Sequence, residues 1–196
     1  KITKYVAVCK EKSVQLDRLV EDLFTFSKME YQSTELLESP ADWGDMIQES
    51  MDSVKPQAQR KRISLQVHSE PGDYAVRADS HLIVRAISNV LDNAVRHTPD
   101  DGCIVVQYHR EEEQTVFAIR DSGLGFAPDE LEQVFEPLFR GEKSRNRSTG
   151  GAGLGLTIAR RIIRRHGGEL TAGNDPFGGA VVSGWIPVHP LRNEGR

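Results

Sequence analysis

The stretch ISNVLDNAVRHT, residues 87–98, carries two asparagines one helical turn apart. At 100° per residue, Ile87, Val90, Leu91, Ala94 and Val95 share one face, which reads as core. Asn89, Asn93, Arg96 and His97 fall within an arc of about 100° on the opposite face. A solvated polar face, with Asp92 and Arg96 as an i,i+4 pair, accounts for this pattern equally well. Asparagine is nevertheless a poor helix former, so two on one face call for a reason. A hard cation supplies one, because Mg²⁺ prefers oxygen ligands, keeps waters and needs few protein groups when phosphate oxygens complete its shell. An amide oxygen ligates without adding negative charge. Arg96 would offset phosphate charge, and His97 would pack on a base or sugar.

Two glycine-bearing stretches lie downstream. In DSGLG, 121–125, Asp121 follows an alternating run, Thr115–Arg120, that reads as a strand. A carboxylate at a strand end can accept a hydrogen bond from the exocyclic amine of adenine and would repel the carbonyl of guanine. Alone, D-x-G-x-G is as consistent with a strand-to-loop turn. In GGAGLGL, 150–156, Gly150, Gly151, Gly153 and Gly155 meet a helix start, where free N–H groups and the positive dipole end favour anions. No strand immediately precedes these glycines and GxxxxGK[ST] is absent, so neither a Rossmann nor a Walker reading fits. A flexible hinge is the plain alternative, and it is compatible with phosphate binding. Between the two stretches, RGEKSRNRSTG at 140–150 has the composition of a mobile loop, made basic by Arg140, Lys143, Arg145 and Arg147. Arg160, Arg161, Arg164 and Arg165 read as a solvated helix end that suits the macrodipole. Phe135 and Phe139, flanking Pro137, are expected to pack the base of the loop against the core.

Upstream, residues 1–30 hold neither proline nor glycine, and Tyr5, Cys9, Leu16, Leu19, Leu23 and Phe26 form one stripe on a long helix. Such a stripe wants a partner, and a bundle or dimerisation helix is the preferred reading over one folded back on its own domain. Residues 31–40 read as a linker with a short strand at 34–38. Asp42 is expected to cap a helix carrying Trp43, Met46, Ile47, Met51 and Val54, and Asp79 to cap the asparagine helix. Strands are expected at 63–67, 74–77, 104–109, 115–120, 169–172 and 180–186, with a helix around Ile158, Ile162 and Ile163 ending at His166-Gly-Gly168. Without a regular βαβ alternation the fold class is α+β. The 196 residues contain 38% hydrophobic and 28% charged side chains, with no apolar run long enough to span a bilayer. A net charge of −4 argues against bulk nucleic-acid binding, and Cys9 and Cys103 form no metal motif. The start at Lys1 reads as an excision from something longer.

Together, residues 79–187 resemble the catalytic, ATP-binding domain of bacterial sensor histidine kinases in the GHKL superfamily. The motifs match in order: an N box (Asn89, Asn93), a G1 box (Asp121, Gly123, Gly125), an F box (Phe135, Phe139) and a G2 box (Gly151, Gly153, Gly155). HGGEL and Phe177-Gly-Gly-Ala180 follow, and QLDRLVEDLFTFSKME is similar to the second helix of that family's dimerisation hairpin. The resemblance implies a Bergerat α/β sandwich, a mixed sheet backed by helices, at 41–190, after a hairpin helix at 1–30 and a linker at 31–40, with a tail at 191–196. It implies Asn93 as principal Mg²⁺ ligand with Asn89 in support, and Asp121 on adenine. His97 would contact base or sugar, while Arg96, Arg140, Arg145, Gly151, Gly153, Leu154 and Gly155 address phosphates under a lid at about 140–153. Asn89, Arg96 and Arg140 would be the residues of phosphoryl transfer.

Relatives that hydrolyse ATP place a glutamate where this chain has Asn89, an amide that cannot accept a proton. This favours transfer to an external nucleophile, a histidine that then supplies a response regulator receiver domain. No histidine precedes His68, so the fragment is expected to bind Mg-ATP without phosphorylating itself. Ala152 stands where the G2 box often has threonine. The resemblance further implies a homodimer through the hairpin and a cytoplasmic position beneath a membrane-anchored sensor, with no nucleic acid and no direct membrane contact. An anti-sigma-type serine kinase, a GHKL ATPase and a degenerate nucleotide-sensing scaffold stand as alternatives.

Overall fold

The structure, a computed structural model, describes residues 2–31, 35–141 and 153–188. Its elements run α1 (Ile2–Tyr31), β1 (Ser39–Asp42), α2 (Trp43–Arg60), β2 (Ser64–Ser69), β3 (Ala75–Ala78) and α3 (Ser80–His97). Then come β4 (Cys103–Glu111), β5 (Gln114–Asp121), α4 (Gly155–Arg165), β6 (Glu169–Asn174) and β7 (Ala180–Pro187). Five strands form a mixed sheet in the order β2-β4-β5-β7-β6, with β2 and β4 parallel and the other pairs antiparallel. Alternation along each strand sends Ile104, Val106, Phe117, Ile119, Leu170, Val182 and Ile186 to one face, where they are buried. Against that face lie the apolar stripes of α2, α3 and α4, including Trp43, Ile47, Ile87, Leu91, Ile158 and Ile162. Trp43 packs on Phe117 with ring centroids 5.3 Å apart. The expected α+β sandwich is thus the observed one.

Asp42 and Asp79 act as the anticipated caps, accepting from the Asp45 and Leu82 amides at 3.2 Å each. The short strand sits at Ser39–Asp42, beyond the 34–38 expected, and residues 35–38 are irregular. It pairs antiparallel with β3, Pro40 opposite Arg77, in a sheet of only two strands. Both strands are edges there, so a proline without an N–H is tolerated.

Among its described side chains, α1 meets the domain only near its C-terminal end. Phe26 and Met29 pack on the core, the Arg161 guanidinium lies 4.2 Å above the Phe26 ring, and Arg85 of α3 pairs with Asp22 at 3.4 Å. Tyr5, Leu16, Leu19 and Leu23 of the stripe stay exposed, joined by Val6, Val20 and Phe24.

The arginine-rich end of α4 is less solvated than its composition indicates. Arg160 and Arg164 both reach Glu169 at 2.8 Å. Burial raises the Glu169 carboxyl, but these guanidinium bonds and the Leu170 amide outweigh it and hold it at about 2. Arg160 also lies 4.7 Å above the Phe135 ring, placing that phenylalanine against the core as expected.

Buried His166 ties the end of α4 to the start of α3. Its Nε2 accepts from the Asp79 amide at 3.1 Å, so the proton sits on Nδ1, which donates to the Ile162 carbonyl at 2.8 Å. Burial pushes this imidazole below its ordinary range. Its contribution to stability is therefore complete above about pH 6.5 and declines below it, because the unfolded chain takes up the proton first. Thermal melts of wild type and His166→Gln, compared between about pH 7 and pH 5, should show the wild-type advantage shrinking with acid. A difference constant with pH would contradict this.

Candidate functional site

The polar face of α3 looks onto a cavity at the end of the sheet where β5 stops. Ile83, Ala86, Ile87, Val90, Leu91, Ala94 and Val95 are buried behind it. Asn93, Arg96 and His97 line the cavity with Asp121, Gly125, Arg140 and Gly153. Its volume is about 150 Å³, the scale of a cavity that holds one aromatic ring.

Asp121 is 8% exposed. Its Oδ1 accepts from the Gly123 amide at 2.8 Å and the Ala180 amide at 3.4 Å. No bond among the described residues reaches Oδ2, which leaves that oxygen as the acceptor for a ligand. Burial raises the Asp121 carboxyl above its ordinary value, against the two amide bonds. The close fit explains the neighbouring glycines. A side chain at Gly123 would meet Asp121 Oδ1 at 2.7 Å and the His97 carbonyl at 2.8 Å. Gly125 has φ +70°, and Asn174 pins the following residue by bonding the Phe126 amide at 2.7 Å and its carbonyl at 2.9 Å.

Gly153 has φ +72° and brings its carbonyl to the Leu138 amide at 3.0 Å. Leu154 is buried at the N-cap position of α4, where no side chain caps the helix. Where α2 and α3 carry an aspartate, α4 thus leaves first-turn amides for another acceptor. Gly123, Leu154, Gly155 and Asn89 do not line the cavity; a side chain at Gly155 would lie 3.8 Å from that of Asn89. The Asn89 Nδ2 is buried without a hydrogen-bond partner. Arg145 and Gly151, with most of the expected lid, lie outside the described residues.

Part of the wall escaped the sequence reading. Phe126, Ala127, Glu130 and Val134 line the cavity with no motif to mark them. Leu124 and Leu156 lie unmarked within the two glycine stretches, and Phe139 of the F box joins them beside Arg140. Glu130 accepts from the Ala127 amide at 3.2 Å, the pattern of a capped turn. Among the described residues, no three His, Cys, Asp or Glu side chains gather as a metal site. A cation here would rely on amide oxygens and on the ligand's own oxygens.

Residues 78–190 match the family described as histidine kinase-, DNA gyrase B-, and HSP90-like ATPases. The chain belongs to that family. Membership of these ATPases implies nucleotide binding, and the chain's relatives are sensor kinases. The sensor protein SphS of Synechococcus elongatus is 33% identical over 184 residues, covering 90% of this chain and 44% of SphS. The solved mycobacterial sensor histidine kinase MprB is 30% identical with a TM-score of 0.67, covering 79% of this chain and 100% of that one. Full-length ShkA is 26% identical with a TM-score of 0.80, over 97% of this chain and 40% of its own. The chain spans about two fifths of the length of the curated relatives it matches. No helix among the described residues is long and apolar enough to cross a membrane.

Proposed function

We propose that this chain is the ATP-binding kinase core of a two-component sensor, and that it transfers the γ-phosphoryl group of Mg-ATP to a histidine on a dimerisation hairpin helix. One observation carries the reading: an acceptor carboxylate, Asp121, shares the wall of one ring-sized cavity with Asn93, Arg96 and Arg140. Asp121 Oδ2 takes the adenine amine, with His97 on the base or sugar. Arg96, Arg140, Arg145 and the amides of Gly151, Gly153, Leu154 and Gly155 hold the phosphate oxygens. Asn93, on the wall, would hold magnesium through its amide oxygen, with Asn89 in support. Bound there, the ion would neutralise charge on the phosphates. Asn89 cannot take a proton from water, so the site orients ATP for an incoming imidazole rather than for hydrolysis.

The relatives support the same reading. ShkA was crystallised with AMPPNP, and ThkA, which shares the fold, in complex with the response regulator TrrA. The exposed stripe of α1 suits a hairpin in a homodimer, in the cytoplasmic part of a sensor.

Calorimetric titration of ATP, ADP and GTP, with and without Mg²⁺, tests the pocket. Micromolar-range binding of the adenine nucleotides, strengthened by Mg²⁺ and weak or absent for GTP, is the expected result. A folded protein that binds none of them overturns the reading.

A further inference from the structure

The last turn of α3 carries Arg96 and His97, yet its carbonyls have few donors of their own. The Thr98 amide and hydroxyl both go to the Ala94 carbonyl, at 2.9 and 2.8 Å. The Val95 carbonyl would next look to residue 99, which is a proline without an N–H. Lys61, just past the end of α2, fills the gap. Its Nζ donates to the carbonyls of Val95 at 2.8 Å, Arg96 at 3.3 Å and Thr98 at 2.5 Å. One ammonium thus meets three oxygens at the negative end of the helix dipole. Lys61 is itself held, its amide bonded to the Ala58 carbonyl at 3.1 Å and its carbonyl to the Asp101 amide at 2.9 Å. Beside it, Arg62 grips the Asp101 carboxylate through Nε at 2.6 Å and Nη2 at 2.7 Å.

Asp121 is held chiefly from the sheet, by the β5 ladder and the Gly123 and Ala180 amides, and meets this turn through the packing of Gly123 on the His97 carbonyl. The two halves of the site therefore have different main supports: the sheet for the base-binding acid, and Lys61 for the turn bearing Arg96 and His97. We infer that Lys61 is a positioning residue for the phosphate side of the nucleotide site, an inference that rests on the nucleotide reading above.

The test compares wild type, Lys61→Met and Lys61→Arg at a temperature where circular dichroism shows all three folded. Calorimetry gives the ATP affinity, and NMR titration the adenosine affinity. Lys61→Met keeps the aliphatic stem and removes the donors. It should lose about tenfold in ATP affinity and a smaller factor, below about threefold, for adenosine, which keeps Asp121 and meets this turn through His97 alone. Lys61→Arg should recover most of both losses. Unchanged ATP binding by Lys61→Met overturns the inference, as does an equal loss for both ligands, which would mark a purely structural role. A wild type that binds neither ligand overturns the nucleotide reading itself, and this inference with it.

Discussion

Asparagine in place of Asp121 is expected to weaken ATP and ADP binding by roughly tenfold to a hundredfold, and to narrow the preference for adenine over guanine. The size follows from the loss of a hydrogen bond to a charged group, worth about 1.5–3 kcal/mol. The change in preference follows from the geometry. Oδ1 is committed to the amides of Gly123 and Ala180, so the amide oxygen of the variant must keep that place. Its NH₂ then occupies the position of Oδ2, a donor facing the adenine amine but able to serve the guanine carbonyl. Titrations of ATP and GTP into both proteins check the two effects together. Equal loss for both bases, or no loss, would mean that Asp121 does not read the base.

Gly179→Ala is expected to destabilise the protein by about 3 kcal/mol or more, a size reserved for backbone strain or clash at a fixed position. Gly179 has φ +94°, and a methyl there would lie 1.7 Å from the Asp121 carbonyl oxygen and 2.8 Å from its carbon. These are backbone atoms of a central strand and cannot swing aside. Relief must come by parting residue 180 from Asp121, which also removes one of the two amides on Oδ1. Gly178 provides the control. It has φ +103° but nothing within 4 Å, so Gly178→Ala carries backbone strain alone, about 1–3 kcal/mol. Urea denaturation of the two variants should rank them in that order. Equal costs would show that the clash relaxes freely.

Much of this architecture was legible because it is local. The caps Asp42 and Asp79 precede their helices in sequence, and the two faces of α3 follow from 100° per residue. The acid at the end of β5 declared itself through the alternation of Thr115–Arg120 and the glycines after it. What stayed hidden depends on partners distant in the chain. Nothing around Lys61 indicates that its ammonium will find a helix end 34 to 37 residues away. Nor does the HGGEL segment reveal that His166 will accept from an amide 87 residues back. The arginines of α4 read as solvated because Glu169 lies past the helix end, where no i,i+4 rule applies. Pro40 misled the strand assignment because proline marks a boundary, whereas a two-stranded sheet leaves it an edge to occupy.

The helix that carries the asparagines behaves mechanically as a beam clamped at both ends. At its start Asp79 receives the Leu82 amide on one oxygen and the Leu37 amide on the other, while its own N–H is held by His166. At its finish Lys61 gathers the carbonyls. A beam so fixed transmits a push from either support instead of bending at its middle. The Leu37 bond makes one of those supports continuous with the strand-entry segment that follows α1, so a shift of that segment reaches the first turn of the site helix directly.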